Sequence, residues 1–344
     1  MQRHKEMSLS VAIALFAAQA AFSLAHAQTS YTLTPLGSLG GGSTTANAIN
    51  DVGDVVGCSV AVINGSPTTR AFVYRNGSMM DIGSLANGGT SCANDINATG
   101  QVTGNSDTPT GQQRAFIYQN GVMTSLGDLG ASSVGNAINN AGLIAGTANN
   151  VGDRYVIAFR YDAQLTPPQV DIGNLGGVAI TSRAMNASGD IVGFAANADS
   201  RGTSYLYSNG VLTDLGLVVG FPSTPNAIND LGQVVGSRNE GGYLLSNGTV
   251  TTLLGLEGNS ASASSINNSG VVVGASWTAN GNRAISISQG VAVDLNTAIS
   301  ASSPDRAFVT LESAGDINNN GWIIAEGVDS RNGTRGAYLL RPTP

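Results

Sequence analysis

"AINDVGDVVG", residues 48–57, is the first of seven related segments in this 344-residue chain. Each segment has an apolar residue, Asn, two variable residues and Gly, and in most copies an apolar pair and a second Gly follow. The other copies are "DINATGQVTG" (95–104), "AINNAGLIAG" (137–146), "AMNASGDIVG" (184–193), "AINDLGQVVG" (227–236), "SINNSGVVVG" (265–274) and "DINNNGWIIA" (316–325). Their central glycines lie 38 to 51 residues apart, which indicates a repeat architecture. We number the copies repeat 1 to repeat 7.

Every repeat contains four short stretches typical of β-strands. The first strand ends at the Asn, the N-x-x-G segment turns the chain, and a Val/Ile-rich second strand follows, because Asn favours turns and Gly accepts positive φ. The third strand is "RAFVY" (70–74) or a variant, and Asn-Gly or an equivalent turn leads into the fourth. Asn-Gly between apolar alternations is a strong hairpin signal. Four strands in about 45 residues are typical of a β-propeller blade.

The two ends of the chain contain the pieces of a split repeat. "YTLTPLGSLGG" (31–41) resembles a fourth strand with no blade before it, and "RGAYLLRPTP" (335–344) resembles a third strand with no fourth after it. A ring that closes in this way has no free repeat edge, whereas an open solenoid needs polar caps. We therefore predict an all-β, seven-bladed β-propeller whose last blade is closed by the N-terminal strand. A β-solenoid is the alternative.

The repeated phrases also carry a family resemblance. "RAFVYRNGSMMDIGSL" (70–85) returns as "RAFIYQNGVMTSLGDL" (114–129), and with the "IN-x-x-G" segments these phrases resemble the bacterial extracellular HAF-repeat family, named for His-Ala-Phe. The likeness extends over residues 31–340, although this chain has Arg-Ala-Phe at 70–72 and 114–116. The resemblance implies an exported repeat protein and transfers no catalytic residue.

The first 27 residues have the pattern of a signal peptide. A basic start is followed by the apolar "VAIALFAAQAAF" (11–22) and by "AHA" (25–27), whose small residues suit cleavage after Ala27. No other stretch is long and apolar enough for a membrane helix. We expect residues 28–344 to form one exported propeller domain, extracellular or periplasmic and monomeric.

Removal of residues 1–27 restricts the available chemistry. Both His and the single Lys lie in that segment, and residues 28–344 contain 13 Arg against 21 Asp and Glu. Without His or Lys a Ser-His-Asp triad, a His-ligated zinc site and a Schiff-base lysine are all excluded. The acidic balance argues against a nucleic-acid partner.

Two kinds of catalysis remain open. A pair of carboxylates can hydrolyse a glycoside, and a Tyr beside an Arg can abstract a proton in a lyase. The least repeat-like stretch, "GDRYVIAFRYD" (152–162), supplies the weak catalytic candidates Arg154, Tyr155, Arg160 and Tyr161. The alternative is that the aromatic rings fill gaps between blades and that the arginines are rim charges.

Two columns of residues are candidates for a site on the ring axis. The invariant asparagines are expected to cap their own turns; they are Asn50, Asn97, Asn139, Asn186, Asn229, Asn267 and Asn318. Three residues earlier the column varies: Asn47, Asn94, Asn136, Arg183, Asn226, Ser264 and Gly315. If the first strand is innermost, this column surrounds an axial funnel. Asn47, Asn94, Asn136, Arg183 and Asn226 are then ligand-binding candidates for a sugar or a carboxylate, with packing and bound water as the alternative.

The two cysteines and the acidic turns complete the candidates. Cys58 follows the second strand of repeat 1 and Cys92 precedes the first strand of repeat 2, so antiparallel pairing places both at one face of adjacent blades. We expect a disulfide, as is common in exported proteins. Acidic turn residues such as Asp316 lack the spacing of a calcium loop, and we expect neither a metal nor a cofactor.

The sequence therefore predicts a binding propeller whose partner is an extracellular glycan or protein. A carbohydrate-active enzyme that uses an Asp/Glu pair or a Tyr/Arg pair is one alternative. A structural cell-surface component is the other.

Overall fold

The structure is a computed structural model that describes residues 29–127, 130, 132–149 and 155–343. The predicted signal peptide and Arg154 lie outside these residues. The described part contains 28 strands, two one-turn α-helices and one 3-10 helix. The strands form antiparallel sheets arranged around an axis, so the prediction of an all-β β-propeller is confirmed.

Repeats 1 and 2 each form a separate four-stranded sheet, with strands in sequence order from the axis outward. Repeat 1 contains β2 (Gly40–Ile49), β3 (Val55–Ile63), β4 (Ser66–Arg75) and β5 (Ser78–Asp81). Repeat 2 contains β6 (Ser91–Ile96), β7 (Val102–Asp107), β8 (Gln113–Gln119) and β9 (Val122–Ser125).

Repeats 3 and 4 share one eight-stranded sheet. Repeat 3 contributes β10 (Ser133–Ile138), β11 (Ile144–Asn149), β12 (Val156–Tyr161) and β13 (Gln169–Asp171). Repeat 4 contributes β14 (Gly176–Met185), β15 (Ile191–Asn197), β16 (Gly202–Ser208) and β17 (Val211–Asp214). A parallel pairing of Val156 with Ala179 joins β12 to β14.

The remaining repeats form three separate four-stranded sheets. Repeat 5 follows helix α1 (Gly216–Val219) and contains β18 (Ser223–Ile228), β19 (Val234–Arg238), β20 (Gly241–Ser246) and β21 (Thr249–Thr252). Repeat 6 follows the 3-10 helix (Leu256–Gly258) and contains β22 (Ala261–Ile266), β23 (Val272–Thr278), β24 (Gly281–Ser288) and β25 (Val291–Asp294). Repeat 7 follows helix α2 (Leu295–Ala298) and contains β26 (Val309–Ile317), β27 (Ile323–Asp329) and β28 (Thr334–Pro342).

The sheet of repeat 7 is completed by the strand nearest the N-terminus. β1 (Tyr31–Pro35) pairs antiparallel with β28, with Tyr31 opposite Pro342. The ring is therefore closed by the two ends of the described chain, as the split repeat indicated.

The division into sheets differs from the prediction in one place. Within the described residues five blades are separate four-stranded sheets, not seven, because repeats 3 and 4 lie in the eight-stranded sheet. The sequence of β12 and β14 contains no sign of this join, since a single residue pair makes it.

Local sequence explains why the strands turn where they do. Asn76 and Gly77 both have positive φ, +51° and +81°, which is the geometry of the two-residue hairpin turn that Asn-Gly favours. Gly53 has φ +87° in the N-x-x-G turn between β2 and β3. The N-x-x-G turn recurs in all seven repeats, and the two-residue turn recurs in repeats 2, 4, 5 and 6, with Gln289 in place of Asn in repeat 6.

The core lies between neighbouring repeats rather than in one central mass. Phe72 of β4 and Leu339 of β28, for example, are fully buried in one cluster that joins repeat 1 to repeat 7. Phe116 of β8 is fully buried in the next cluster, which joins repeats 1 and 2. Apolar contacts of this kind hold adjacent repeats together and leave the axis to polar residues.

Candidate functional site

A β-bulge interrupts the innermost strand of every repeat. In β2 the pairing with β3 skips one residue between Ala46 and Ala48, and the same shift recurs in the other six repeats. A bulge leaves one residue without a strand partner and changes the direction of its side chain. The bulge positions are Asn47, Asn94, Asn136, Arg183, Asn226, Ser264 and Gly315, which is the variable column noted in the sequence.

The bulge positions line a cavity of about 320 Å³ on the axis. Five consecutive positions of each innermost strand and its turn contribute to the wall, from the bulge position to the residue after the invariant asparagine. The volume is near the lower end of the range of roughly 300–1,000 Å³ found for small-ligand pockets. The sequence-predicted residues Asn47, Asn94, Asn136, Arg183 and Asn226 therefore lie around one space.

The seven invariant asparagines, here called the ring asparagines, form a closed hydrogen-bonded ring. Each Oδ1 accepts the backbone N–H four residues later, as Asn50 does from Asp54 at 2.9 Å, which confirms the predicted turn capping. Each Nδ2 also donates to the backbone carbonyl of the ring asparagine in the next repeat. The ring closes where Asn318 donates to the Asn50 carbonyl at 2.9 Å. These buried amides build the scaffold of the cavity.

Four of the bulge asparagines are also structural ties between repeats. Asn47 Nδ2 donates to the Ala93 carbonyl at 2.8 Å and Asn94 Nδ2 to the Gly135 carbonyl at 2.9 Å. Asn136 and Asn226 make the equivalent bonds in repeats 3 and 5. Each of these amides therefore uses at least one of its two N–H donors to tie repeats together.

Arg183 differs from the other bulge residues in charge and in partners. Its side chain is exposed in the cavity wall. It forms no ion pair and no hydrogen bond with any residue in the described part of the chain. A guanidinium with five donors and no bonded partner among the described residues is suited to binding an anion or a hydroxyl-rich ligand.

Two carboxylates in the wall were not among the predicted site residues. Asp95 and Asp316 stand one residue after the bulge, where the other repeats have Ala48, Ala137, Ala184, Ala227 and Ser265. Desolvation raises the pKa of Asp95 to about 7, although two backbone N–H bonds counteract part of this effect. Desolvation also raises the pKa of Asp316, against hydrogen bonds from Ser265 Oγ and two backbone N–H groups. Alignment of the repeats could have indicated this pair, because aspartate stands in two repeats at a position where the other five have alanine or serine.

The cysteines lie beside the cavity. Cys58 of β3 and Cys92 of β6 form a disulfide between repeats 1 and 2, with Cα atoms 4.9 Å apart. Asn47 Nδ2 is 3.6 Å from each sulfur. The disulfide therefore supports the cavity wall from behind.

The weak catalytic candidates within the described residues lie away from the cavity, and Arg154 lies outside those residues. Tyr155 is exposed ahead of β12, while Arg160 and Tyr161 belong to β12, the third strand out from the axis in repeat 3. Tyr161 packs against the core between repeats 2 and 3. The structure thus separates these residues from Asp95, Asp316 and Arg183.

The acidic turn residues are engaged with protein groups. Asp54 pairs with Arg75 at 2.6 Å, and Asp51 accepts from Asn319. Across the described residues no group of three or more His, Cys, Asp or Glu side chains is placed to hold a metal ion. No described helix is long and apolar enough to cross a membrane.

Sequence comparison places part of the chain near one protein family. The model of a family described as a protein of unknown function (DUF3466) matches residues 40–129, which are repeats 1 and 2. This match does not confirm the resemblance to the HAF-repeat family. No curated protein matched the sequence.

Solved structures with similar folds are distant in sequence. TolB from Acinetobacter baumannii is 11% identical, with a TM-score of 0.46; the match covers 84% of this chain and 63% of TolB. The β-propeller domain of the Trilobed protease from Pyrococcus furiosus is 11% identical, with a TM-score of 0.49 and coverage of 73% and 84%. The SapL1 lectin, solved with alpha methyl fucoside, is 11% identical, with a TM-score of 0.41 and coverage of 76% and 98%. Similarity at this level carries no information about ligand or activity.

Proposed function

We propose that this protein is a binding β-propeller that holds an extracellular ligand, a glycan or a glycan-bearing partner, in its axial cavity. The observation that carries the proposal is Arg183. Six of the seven bulge positions are Asn, Ser or Gly, and the seventh places a guanidinium with no partner among the described residues in the wall. A purely structural ring has no need for that charge.

The wall supports a polyhydroxylated ligand. Four bulge asparagines, Ser264 and the four aspartates Asp51, Asp95, Asp230 and Asp316 line a space of about 320 Å³. Such groups form hydrogen bonds with hydroxyls from many directions, and a few convergent polar groups are typical of small-ligand sites.

A glycan array with the purified protein tests the proposal. We expect binding that is lost in Arg183→Ala and kept in Arg306→Ala, which removes an exposed arginine far from the cavity. Equal binding by the wild type and Arg183→Ala would contradict an axial site. Absence of binding to any glycan would favour a structural role.

Glycoside hydrolysis is the second candidate function, and one observation favours it. Asp95, with a pKa of about 7, and Asp316 line the same cavity, and an acid protonated near neutral pH is what general acid catalysis needs. Release of reducing ends from a bound glycan by the wild type, but not by Asp95→Asn, would establish catalysis. Binding without turnover would exclude it for that glycan.

We also propose that the ring consists of seven blades, with repeats 3 and 4 of the eight-stranded sheet each equivalent to one blade. The supporting observation is that the ring asparagines make seven equivalent steps, including Asn139 to Asn186 across the joined sheet at 3.4 Å. Replacement of Ala179 by Pro removes a donor at the join, and we expect it to leave ligand binding unchanged.

Export of the chain by residues 1–27 and relation to the HAF-repeat type remain proposals as well. The disulfide supports the export, because stable disulfides form in oxidising compartments, and the repeated phrases support the relation to the HAF-repeat type. N-terminal sequencing of the protein from its natural host, with an expected start at Gln28, tests the export.

A further inference from the structure

One backbone N–H in each repeat points at the axis. In some repeats a side-chain carboxylate accepts this N–H, and in the others no described residue does. The residue before each ring asparagine, here called the amide position, supplies it; the seven are Ile49, Ile96, Ile138, Met185, Ile228, Ile266 and Ile317. The ring asparagine itself donates its N–H to the second strand, as Asn186 does to the Asp190 carbonyl at 3.1 Å. Because N–H groups alternate in direction along an antiparallel strand, the N–H of the amide position faces away from the second strand.

Two carboxylates satisfy four of these seven groups. Asp95 Oδ1 accepts from Ile96 at 2.8 Å and Oδ2 from Ile138 at 2.7 Å. Asp316 Oδ1 accepts from Ile317 at 2.9 Å and Oδ2 from Ile49 at 3.0 Å. Each aspartate thus caps its own repeat and the next. We call repeats 7, 1, 2 and 3 the capped arc.

The other three groups have no acceptor in the described residues. Met185, Ile228 and Ile266 belong to repeats 4, 5 and 6, where the residues beside them are Ala184, Ala227 and Ser265. Alanine offers no acceptor, and the Ser265 hydroxyl donates to Asp316 at 2.6 Å. Ile228 and Ile266 are buried, and buried backbone N–H groups without partners are rare and costly. We call repeats 4, 5 and 6 the open arc.

The unpaired guanidinium lies in the same arc. Arg183 is two residues before Met185, and both line the cavity with Ile228 and Ile266. Neighbouring backbone N–H groups form anion sites in many proteins, and an arginine strengthens them. Asp95 and Asp316 lie in the capped arc opposite. The carboxylate that lines the cavity in the open arc, Asp230, is engaged by the Ala187 N–H at 2.8 Å and by Asn268 Nδ2 at 2.7 Å.

We propose that the open arc is a carboxylate site, and that the axial ligand is a uronic acid or a glycan that ends in one. This inference rests on the proposed axial binding function and specifies its ligand. The carboxylate occupies the place between repeats 4 and 5 that a third aspartate would fill at position 184, and accepts from Met185, Ile228 and Arg183. The sugar hydroxyls face Asp95 and Asp316, whose carboxylates have acceptor sites beyond those the backbone uses.

The test compares acidic and neutral sugars on the full protein. Titration calorimetry with glucuronate, galacturonate, glucose and galactose should show each uronate binding at least tenfold more tightly than its neutral counterpart. Free acetate and glutamate are included, because they present a carboxylate without the ring of hydroxyls and separate a sugar acid from a simple organic acid.

Two variants test the site from opposite sides. Arg183→Ala removes the cation, and Ala184→Asp supplies an internal carboxylate to the Met185 and Ile228 N–H groups. Each should weaken uronate binding at least tenfold, while Arg306→Ala should not. In ¹H–¹⁵N spectra, uronate should shift the amide signals of Met185, Ile228 and Ile266 more than that of Ile138.

The outcomes separate the two proposals. Equal binding of neutral and acidic sugars, unchanged by Ala184→Asp, would overturn the carboxylate site and leave axial glycan binding intact. Tighter binding of acetate or glutamate than of uronate would overturn the sugar acid. If no sugar binds and no amide signal shifts, both proposals fail.

Discussion

The capped arc and the open arc are built from the same repeat, and they differ in whether the protein supplies an acceptor for one backbone N–H. In the capped arc Asp95 and Asp316 each accept from two repeats. In the open arc alanine or serine stands at the same position, and Arg183 replaces an uncharged residue nearby. The comparison indicates that the repeated segments provide a common scaffold, and that Asp95, Asp316 and Arg183 are the single-residue departures that distinguish the two arcs.

The largest effect is expected from removing the disulfide, which fastens the capped arc between repeats 1 and 2. Cys58→Ser with Cys92→Ser opens a loop of 34 residues, and the chain-entropy model gives a loss of about 3.8 kcal/mol in the free energy of unfolding. Urea denaturation measures it, and reduced wild-type protein serves as the matched control. We expect the variant to bind ligand at the open arc as the wild type does. A variant that is fully folded but no longer binds would show that the two arcs are not independent.

The ring asparagines should contribute equally in both arcs. Asn139→Ala in the capped arc removes turn-capping bonds and the shared bond of its Nδ2 to the Asn186 and Ala187 carbonyls. Asn229→Ala in the open arc removes turn-capping bonds and one bond to the next repeat. We expect each to lower the free energy of unfolding by about 2 kcal/mol, because buried donors lose their acceptor. Chemical denaturation of the two variants side by side checks this. A difference above about 1 kcal/mol would mean that the arcs differ in more than the capping carboxylates.

The capped arc should make stability depend on pH through Asp95. Its pKa in the folded protein, about 7, is above the ordinary value of 3.8, so the folded state keeps a proton that the unfolded state has lost. The free energy of unfolding therefore falls as the pH rises from about 4 to about 7, by roughly 2.6 kcal/mol between pH 5 and pH 8.

Asp95→Asn is the matched variant for this pH dependence. It keeps the shape of the side chain, and it should flatten the profile over that window apart from the contribution of Asp316. Thermal or urea unfolding at half-unit pH steps gives the measurement. Superimposable profiles for wild type and variant would show that Asp95 titrates normally.

The smallest effect is expected from converting the open arc into a capped one. Ala184→Asp places a carboxylate beside the Met185 and Ile228 N–H groups, and we expect a gain of about 1 kcal/mol, because two charge-assisted bonds are offset by burial of the charge. Ala184→Asn, with one acceptor oxygen, should gain less. Calorimetric melting checks both variants, and a loss with Asp but not with Asn would indicate that these N–H groups already have a partner in the free protein.

Much of the fold was predictable because turn chemistry is local. The N-x-x-G turn marked the first hairpin of every repeat, Asn-Gly marked the last hairpin of repeats 1, 2, 4 and 5, and the split repeat at the two ends indicated the closure by β1. The joining of β12 to β14 was not predictable, since it depends on one backbone pairing between Val156 and Ala179.

The candidate site was only partly predictable. The variable column placed Arg183 and four asparagines at the axis, because period and register fix which face a strand residue occupies. Asp95 was not predicted as a site residue, because it is distinctive only when the repeats are aligned and the same position is alanine in four of them. The N–H groups of Met185, Ile228 and Ile266 that lack an acceptor belong to the backbone, so the residue types in the sequence do not indicate them.

The closure by β1 also determines where the chain leaves the ring. β1 is the strand of its sheet farthest from the axis, and Thr343 donates its N–H to the Ser30 carbonyl at 2.7 Å. Both ends thus emerge side by side on the outer rim, away from the axial cavity. A tag, a tether or a fused domain at either end would leave the cavity accessible. The chain could also be circularly permuted, with the native ends joined by a linker and new termini placed in a loop between two other repeats.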